Sequence, residues 1–190
     1  YFYASQLPDT LFQLTIAAAL TSAFIPVFSE YLAKDKEKEA HKMASTLLTL
    51  GFMVFTGLAV ILAIFAPFFL SIFNLGNNFT PDQMVLMANL TRIIIIGQIF
   101  FIVGTFFTAL LQSYNHFFVP GIAAALYNFG IILGVIIFAP IFGIYSATIG
   151  VILGGLIFVL VQVPLTRKVG FRYKPSLAYL HSEGIKKIST

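Results

Sequence analysis

The sequence contains no cysteine and no tryptophan, and only 9% of its 190 residues are charged. The absence of cysteine excludes a disulfide scaffold and a thiolate metal site. Because soluble domains carry about 25% charged residues, so low a charged fraction also excludes an ordinary water-soluble globule. The apolar share is 59% and the mean hydropathy is +0.96, values that indicate a membrane protein.

Charged residues are missing from two long parts of the chain. None lies between Lys42 and Asp82, and Arg92 is the only one between Asp82 and Arg167. A membrane helix needs about 20 apolar residues to cross about 30 Å of hydrocarbon, so these parts must contain several spans. Long apolar runs without period-two alternation favour helices over strands. The sequence therefore predicts an all-α, polytopic membrane helix bundle.

Prolines, glycines and asparagines divide the apolar sequence into five predicted spans. The spans run from about 8 to 32, 43 to 73, 80 to 114, 118 to 138 and 144 to 166. The third begins at Thr80-Pro81-Asp82, since threonine can cap a helix, proline suits its first position and aspartate complements its dipole. A run of turn formers at residues 74–78 ends the second span, and Ala139-Pro140 is expected to end the fourth.

Ten of the eleven Lys and Arg residues lie in two clusters, four in the first connection and six in the tail. The members are Lys34, Lys36, Lys38, Lys42, Arg167, Lys168, Arg172, Lys174, Lys186 and Lys187. Five spans place both clusters on one side of the membrane, and the positive-inside rule makes that side cytoplasmic. We therefore expect residues 33–42 and 167–190 to be cytoplasmic. Since Tyr1 would then face the exterior and the chain lacks an initiator Met, we expect an earlier span and a longer protein.

The simplest interpretation of the basic clusters is topology together with attraction to anionic lipid. Positive and negative residues alternate from Lys34 to Glu39, which favours a solvated helix end over a nucleic-acid surface. In the tail, a short interfacial helix is expected around residues 176–189.

Residues suited to catalysis or metal binding are scarce. His41, His116 and His181 fall in connections or in the tail, so none forms a metal-ligand pair inside the membrane. The sequence has no phosphate-binding glycine loop, no Ser–His–Asp candidate and no paired carboxylates within a span. We therefore expect no enzyme, no catalytic residue, no metal and no cofactor.

Polar residues at helical spacing mark one face of the first predicted span. Gln6, Thr10 and Gln13 recur every three or four residues, and Asp9 lies beside them. Ala17 and Thr21 continue the same face. Such a stripe either lines a hydrated cavity that binds a polar head group or allows close helix packing, and both interpretations remain open.

Two further features lie inside the later spans. Arg92 is the only charged side chain well within a predicted helix. It either faces a cavity on a transport path or extends along its stem to the outer interface. Gly130 with Gly134, and Gly150 with Gly154, are pairs of small residues four apart, which predict helix-packing faces.

Several segments carry a family resemblance. Residues 2–9 read FYASQLPD and residues 23–31 read AFIPVFSEY, which matches the pattern AFxPxxxEY. Residues 111–117 read LQSYNHF and are followed by Pro120 and Asn128, similar to LNxxxRF…P…N. Gly154-Gly155, Gln162, Pro164 and Gly170 are similar to GGxxQxxxQLPxLxxxG. In this order the segments resemble the MurJ/MviN-type lipid II flippases, within the multidrug/oligosaccharidyl-lipid/polysaccharide exporter superfamily.

The resemblance implies a fourteen-helix, two-lobed protein that moves lipid-linked peptidoglycan precursor across the bacterial cytoplasmic membrane through a central cavity. Residues 1–168 would be the second to sixth helices of the N-terminal lobe, and residues 169–190 a cytoplasmic connection. The implied partners are the lipid-linked saccharide, membrane lipids and the missing C-terminal lobe, with no nucleic acid. The candidate substrate-cavity residues are Gln6, Asp9, Thr10, Gln13 and Arg92.

The sequence departs from the family pattern in its first span. The family usually has arginines shortly after Leu-Pro and an acidic residue followed by glycine further on, where this chain has Phe12, Gln13, Ala17 and Ala18. Arginine suits the pyrophosphate of a lipid-linked substrate because it forms bidentate, charge-assisted hydrogen bonds, and Phe12 cannot do so. The alternatives are another lipid-linked saccharide as substrate, a polysaccharide or drug exporter of the same superfamily, or a non-transporting membrane scaffold.

Overall fold

A computed structural model of the chain describes residues 1–13, 23–72 and 79–177, which form helices and no strand. The helices of these ranges are α1 (Phe2–Phe12), α2 (Ile25–Ala33), α3 (Glu37–Ile64), α4 (Ala66–Ile72), α5 (Pro81–Ser113), α6 (Phe118–Phe142) and α7 (Tyr145–Lys168). Four of them, α3, α5, α6 and α7, are long and apolar enough to cross a membrane. The predicted all-α membrane helix bundle is confirmed.

Parts of three predictions fall outside the described residues. The first predicted span begins in α1 and ends in α2, and residues 14–22 between them, with Ala17 and Thr21, are not among those described. The predicted turn at 74–78 and nearly all of the interfacial helix at 176–189 are likewise outside. The number of five spans therefore stays a prediction.

The second predicted span is interrupted. α3 ends at Ile64 and α4 begins at Ala66, so the prediction of one helix from 43 to 73 is wrong at this point. The interruption follows from Pro67, because proline has no N–H to donate to the carbonyl four residues earlier, that of Ala63.

The third predicted span is confirmed at its start. The Gln83 amide donates to Thr80 Oγ1 at 3.4 Å, and the Thr80 amide donates to Gln83 Oε1 at 2.9 Å. This reciprocal capping box satisfies two amides at the first turn of α5. With 33 residues, α5 is about 50 Å long and exceeds the hydrocarbon thickness of about 30 Å.

The fourth span ends later than predicted. Pro140 lies inside α6, and the helix continues to Phe142. Proline's backbone angle is compatible with a helix and removes only one hydrogen bond, so Pro140 is tolerated in the last turn. The helix ends instead at Gly143, whose φ of 53° is a conformation that favours glycine.

α5 is the central helix of the described bundle, and it contacts every other helix from α1 to α7. The Phe101 ring on α5 lies 5.1 Å from the Phe12 ring of α1, 4.9 Å from that of Tyr127 on α6 and 5.4 Å from that of Phe158 on α7. These edge-to-face, tilted and stacked ring contacts join four helices.

The two predicted glycine pairs lie where α6 meets α7. A Cβ on Gly130 would lie 2.6 Å from the Gly154 Cα, and a Cβ on Gly150 would lie 2.7 Å from the Ile131 carbonyl oxygen. Larger residues would therefore force the two backbones apart. The prediction that these glycines form a packing face is confirmed.

A buried amide joins α7 to α5. Gln162 is fully buried, and its Nε2 donates to the Gly104 carbonyl at 3.0 Å and to the Phe158 carbonyl at 2.9 Å. Its Oε1 accepts from the Thr108 hydroxyl at 3.0 Å. Because its donors and acceptor are all used, the polar group is compatible with an apolar interior.

The first connection and the segment after α7 meet at one end of the bundle. The His41 ring, near the start of α3, lies 5.6 Å from the ring of Phe171 and 6.3 Å from that of Tyr114 at the end of α5. Phe171 is buried, with 2% of its surface exposed. The basic residues of both segments therefore share this end, which we call the basic end.

Candidate functional site

The polar stripe on α1 divides into two pairs by exposure. Gln6 and Asp9 are half-buried, whereas Thr10 and Gln13 are exposed. The Thr10 hydroxyl donates to the Gln6 carbonyl of its own helix at 2.7 Å. Thr10 and Gln13 thus present the exposed part of the stripe, and Gln6 and Asp9 lie between that part and the bundle.

Asp9 is held by a partner that the sequence analysis did not single out. Gln98 Nε2 on α5 donates to Asp9 Oδ1 at 2.7 Å, and only 5% of Gln98 is exposed. A hydrogen bond to a charged group is shorter and stronger than one between neutral groups. It fixes the Asp9 carboxyl group between α1 and α5.

A second contact between the same helices arises from a proline. Pro8 lies inside α1 and has no N–H for the Ala4 carbonyl. The Thr91 hydroxyl on α5 donates to that carbonyl at 2.9 Å, and both residues are fully buried. Thr91 therefore supplies the donor that the proline lacks.

Phe12 and Gln13, the residues for which the resemblance led us to expect arginines, differ from each other in exposure. Phe12 is buried in the main core, 8% exposed, against the Phe101 ring. Gln13 is exposed. A charged side chain in place of Phe12 would enter the apolar core. Of these two positions, only that of Gln13 presents a polar group at the surface.

The hydrogen bonds of Arg92 do not connect it to the polar stripe on α1. Its Nε donates to the Ala63 carbonyl at 2.9 Å, and its Nη1 donates to Asn89 Oδ1 at 2.9 Å. Ala63 is the residue whose carbonyl loses its helical donor at Pro67. A cation at the last turn of α3 is also favoured by the helix dipole.

The position of Ala63 indicates the depth of Arg92. The apolar part of α3 starts at about residue 43, and 20 residues of helix rise about 30 Å, the thickness of the hydrocarbon layer. Ala63 and the guanidinium bonded to it thus lie near the interface opposite the basic end. This placement supports the interfacial interpretation of Arg92 over the cavity interpretation.

Three polar side chains form a cluster at the basic end. Tyr114 Oη donates to Glu37 Oε1 at 2.8 Å and lies 2.7 Å from His41 Nε2. Burial and the Glu37 carboxylate raise the pKa of the Tyr114 phenol. The phenol therefore stays protonated and joins α3 to α5. Across residues 1–13, 23–72 and 79–177, no three His, Cys, Asp or Glu side chains are grouped as metal ligands.

Gln98 and Thr91 were missed because single polar residues in an apolar helix carry no periodic signal. Gln98 follows a run of four isoleucines and Gly97, and Thr91 lies between Leu90 and Arg92, so neither belongs to a polar stripe at helical spacing. A buried polar side chain is costly without a hydrogen bond, so the presence of each residue indicated that it has a hydrogen-bond partner. The partner's identity required the three-dimensional structure.

Comparisons with known proteins point to one family. The family profile described as "Lipid II flippase MurJ" matches residues 1–190. The chain is 29% identical over 180 residues to "Probable lipid II flippase MurJ" of Borreliella burgdorferi, covering 93% of this chain and 34% of that protein. It is 28% identical over 159 residues to "Lipid II flippase MurJ" of Thermosipho africanus, covering 83% of this chain and 32% of that protein.

A relative from Haemophilus influenzae, "Probable lipid II flippase MurJ", is 29% identical over 199 residues and is matched by 99% of this chain. That alignment covers 38% of the Haemophilus protein. The chain thus spans about a third of the length of the curated relatives it matches.

Proposed function

The chain belongs to the lipid II flippase family MurJ, and we propose that the whole protein moves lipid II across the cytoplasmic membrane for cell-wall synthesis. The observation that carries the proposal is the match of the family profile to every residue from 1 to 190. The apolar helices support it, since a flippase must span the membrane.

We propose that residues 1–168 supply the second to sixth helices of the N-terminal lobe, followed by a cytoplasmic connection at 169–190. The meeting of the two basic segments at one end of the bundle supports this arrangement, because the positive-inside rule then makes the basic end cytoplasmic. The substrate is a lipid-linked saccharide, and the C-terminal lobe completes the cavity.

The polar stripe on α1 is the proposed substrate surface of this part of the lobe. It consists of Gln6, Asp9, Thr10 and Gln13, with Asp9 fixed by Gln98 at 2.7 Å. Amide, hydroxyl and carboxylate groups donate and accept hydrogen bonds, so they suit the hydroxyl and amide groups of a saccharide. Arg92 is proposed to hold the end of α3 at the outer interface.

The test is replacement of the host flippase by the full-length protein in a bacterium depleted of its own. Growth and lipid II accessibility at the outer leaflet should both recover. Gln13→Leu should reduce recovery at normal membrane abundance, because it removes an exposed hydrogen-bonding group from the proposed surface. Gln112→Leu is the matched control, since Gln112 lies 14 residues beyond Gln98 on α5, about 21 Å away, and should transport normally.

A second candidate substrate is another lipid-linked saccharide, favoured by Phe12, which is buried where the family has an arginine. If the full-length protein inserts normally but does not restore growth or move lipid II, the lipid II proposal is wrong. Transport of a different lipid-linked saccharide in the same assay would then support this alternative, and transport of neither would favour the scaffold. Equal transport activity of the Gln13→Leu and Gln112→Leu variants would show that the stripe is not part of the substrate surface.

A further inference from the structure

The hydrogen bond between Asp9 and Gln98 leaves one end of the Gln98 amide unused. Gln98 Nε2 donates to Asp9 Oδ1 at 2.7 Å, whereas Gln98 Oε1 is buried and has no hydrogen-bond partner among the described residues. Only 5% of Gln98 is exposed. A buried acceptor without a donor is costly. The amide therefore needs one more donor than the described side chains supply.

The pair lies inside the membrane-spanning part of the bundle. Gln98 is six residues beyond Arg92 on α5, so it lies about 9 Å further from the interface at which the Arg92 guanidinium is bonded. Asp9 is half-buried, next to the exposed Thr10 on α1. The carboxyl group is therefore partly accessible from the surface, whereas the amide that binds it is enclosed.

No cation accompanies the Asp9 carboxyl group within the described residues. Asp9 takes part in none of the ion pairs found there, and Arg92 donates to α3 and to its own helix. The titratable side chains that interact electrostatically with Asp9 are the phenols of Tyr1 and Tyr127, which are uncharged at neutral pH. An ionised Asp9 would thus be a charge at membrane depth without a counter-charge in the described part of the bundle, which is costly.

A protonated Asp9 matches the Gln98 amide at both ends. A carboxylic acid offers one acceptor oxygen and one O–H donor, and an amide offers N–H donors and one acceptor oxygen. Both groups are planar and their terminal torsions are broad, so they can align and pair through two parallel hydrogen bonds. Asp9 Oδ1 then keeps the observed bond from Nε2, and its Oδ2–H donates to Oε1. The Ser5 hydroxyl, which also interacts with this carboxyl group, can donate or accept and is compatible with either form.

We propose that Asp9 and Gln98 form a proton-binding site that joins α1 to α5. Binding takes one proton from water and forms the Oδ2–H bond of a neutral carboxylic acid, and no other covalent bond changes. Release of the proton restores the carboxylate, so the two helices are then joined at this point by one hydrogen bond instead of two. The proton thus changes the attachment of the helix that carries the exposed part of the polar stripe. The site does not rest on the proposed substrate, since proton binding is measured without it.

The test is infrared difference spectroscopy of the purified full-length protein in neutral detergent, titrated from about pH 5 to about pH 9. A protonated carboxylic acid has a carbonyl stretching band that a carboxylate lacks. The wild-type spectrum minus that of Asp9→Asn should contain this band, and the band should decline as the pH rises. In Gln98→Leu the band should shift to higher frequency, because the acid loses its bonds to the amide. Asp82→Asn is the matched control, since it removes an exposed carboxyl group at the start of α5 and should keep the Asp9 band.

The midpoint of SDS-induced unfolding shows whether the proton joins the helices. Asp9→Asn is expected to fold, because its amide can form the same two hydrogen bonds with Gln98 at any pH. The wild-type midpoint should therefore fall more steeply with rising pH than that of Asp9→Asn. Equal pH dependence in the two proteins would show that the proton does not join α1 to α5.

Two spectroscopic results would overturn the site itself. Absence of the band from the difference spectrum at every pH would show that Asp9 is ionised throughout. Loss of the band when Na⁺ is added at constant pH would assign the same oxygens to a metal cation instead of a proton. Neither result depends on whether the whole protein moves lipid II, so a failure of this proposal is distinguishable from a failure of the proposed function.

Discussion

The contact between Thr91 and the Ala4 carbonyl predicts a specific energetic coupling to Pro8. Thr91→Val keeps the shape of the side chain and removes the hydroxyl that donates at 2.9 Å. The Ala4 carbonyl is then buried without this donor, and Pro8 has no N–H to replace it. Polar contacts between membrane helices average about 0.6 kcal/mol and reach about 1.7 kcal/mol. Because both residues are fully buried, we expect a loss of about 1 kcal/mol.

Pro8→Ala should remove most of that loss. The new N–H at position 8 can donate to the Ala4 carbonyl within α1, so the hydroxyl of Thr91 is no longer needed. The four proteins of this double-mutant cycle are unfolded by SDS titration and followed by circular dichroism. The expected coupling free energy is about 1 kcal/mol, above the roughly 0.5 kcal/mol within which independent sites add.

Thr46→Val is the matched control for the cycle. Thr46 is also fully buried, and its hydroxyl donates at 3.1 Å to the Lys42 carbonyl, which lies four residues earlier in a helix without proline at that turn. The carbonyl keeps its backbone donor in the variant, so the free energy of unfolding should change little. Additive effects of Pro8→Ala and Thr91→Val would refute the idea that Thr91 substitutes for the missing backbone donor.

Two further predictions concern the helix interfaces and the topology. Gln162→Leu removes two hydrogen bonds between α7 and α5 and should lower the free energy of unfolding by about 1 kcal/mol in the same SDS titration; an unchanged value would show that the network does not stabilise the interface. In the full-length protein made otherwise cysteine-free, Lys36→Cys should react with an impermeant maleimide only from the cytoplasm, and Ile144→Cys only from outside. Labelling of both from the same side would contradict the predicted arrangement of spans.

The local signals in the sequence predicted the helix boundaries well where a side chain or a glycine determines them. Thr80, Pro81 and Asp82 mark the start of α5 because capping depends on residues adjacent in sequence. Pro140 was a weaker signal than Gly143, since proline disturbs one hydrogen bond whereas a positive φ directs the chain out of the helix. Predicting the break at Phe65 would have required considering that Pro67 has no N–H for the Ala63 carbonyl, four residues earlier.

The candidate site was predicted only in part, because helical spacing identifies a face and not the element packed against it. The spacing placed Gln6, Asp9, Thr10 and Gln13 on α1, but Asp9 binds Gln98, 89 positions away in sequence. The sequence did not predict the pocket at the basic end, between the start of α3 and the segment after α7, for the same reason. Its cations, Lys38, Lys42, Arg172 and Lys174, come from the start of α3 and from the segment after α7, and the contacts of Phe171 with His41 and of Tyr173 with Thr49 bring these segments together.

The structure also explains why a polar residue inside a membrane helix need not lie on a transport path. Pro8 and Pro67 each leave a carbonyl without its helical donor, and adjacent residues of α5 fill both places, Thr91 for Ala4 and Arg92 for Ala63. A side chain bonded in this way is costly to redirect to a substrate, because the carbonyl would lose its donor again. For the proposed transport function, we therefore expect substrate contact in the described residues at polar groups that remain at the surface, which makes Gln13 a sharper test of transport than Arg92.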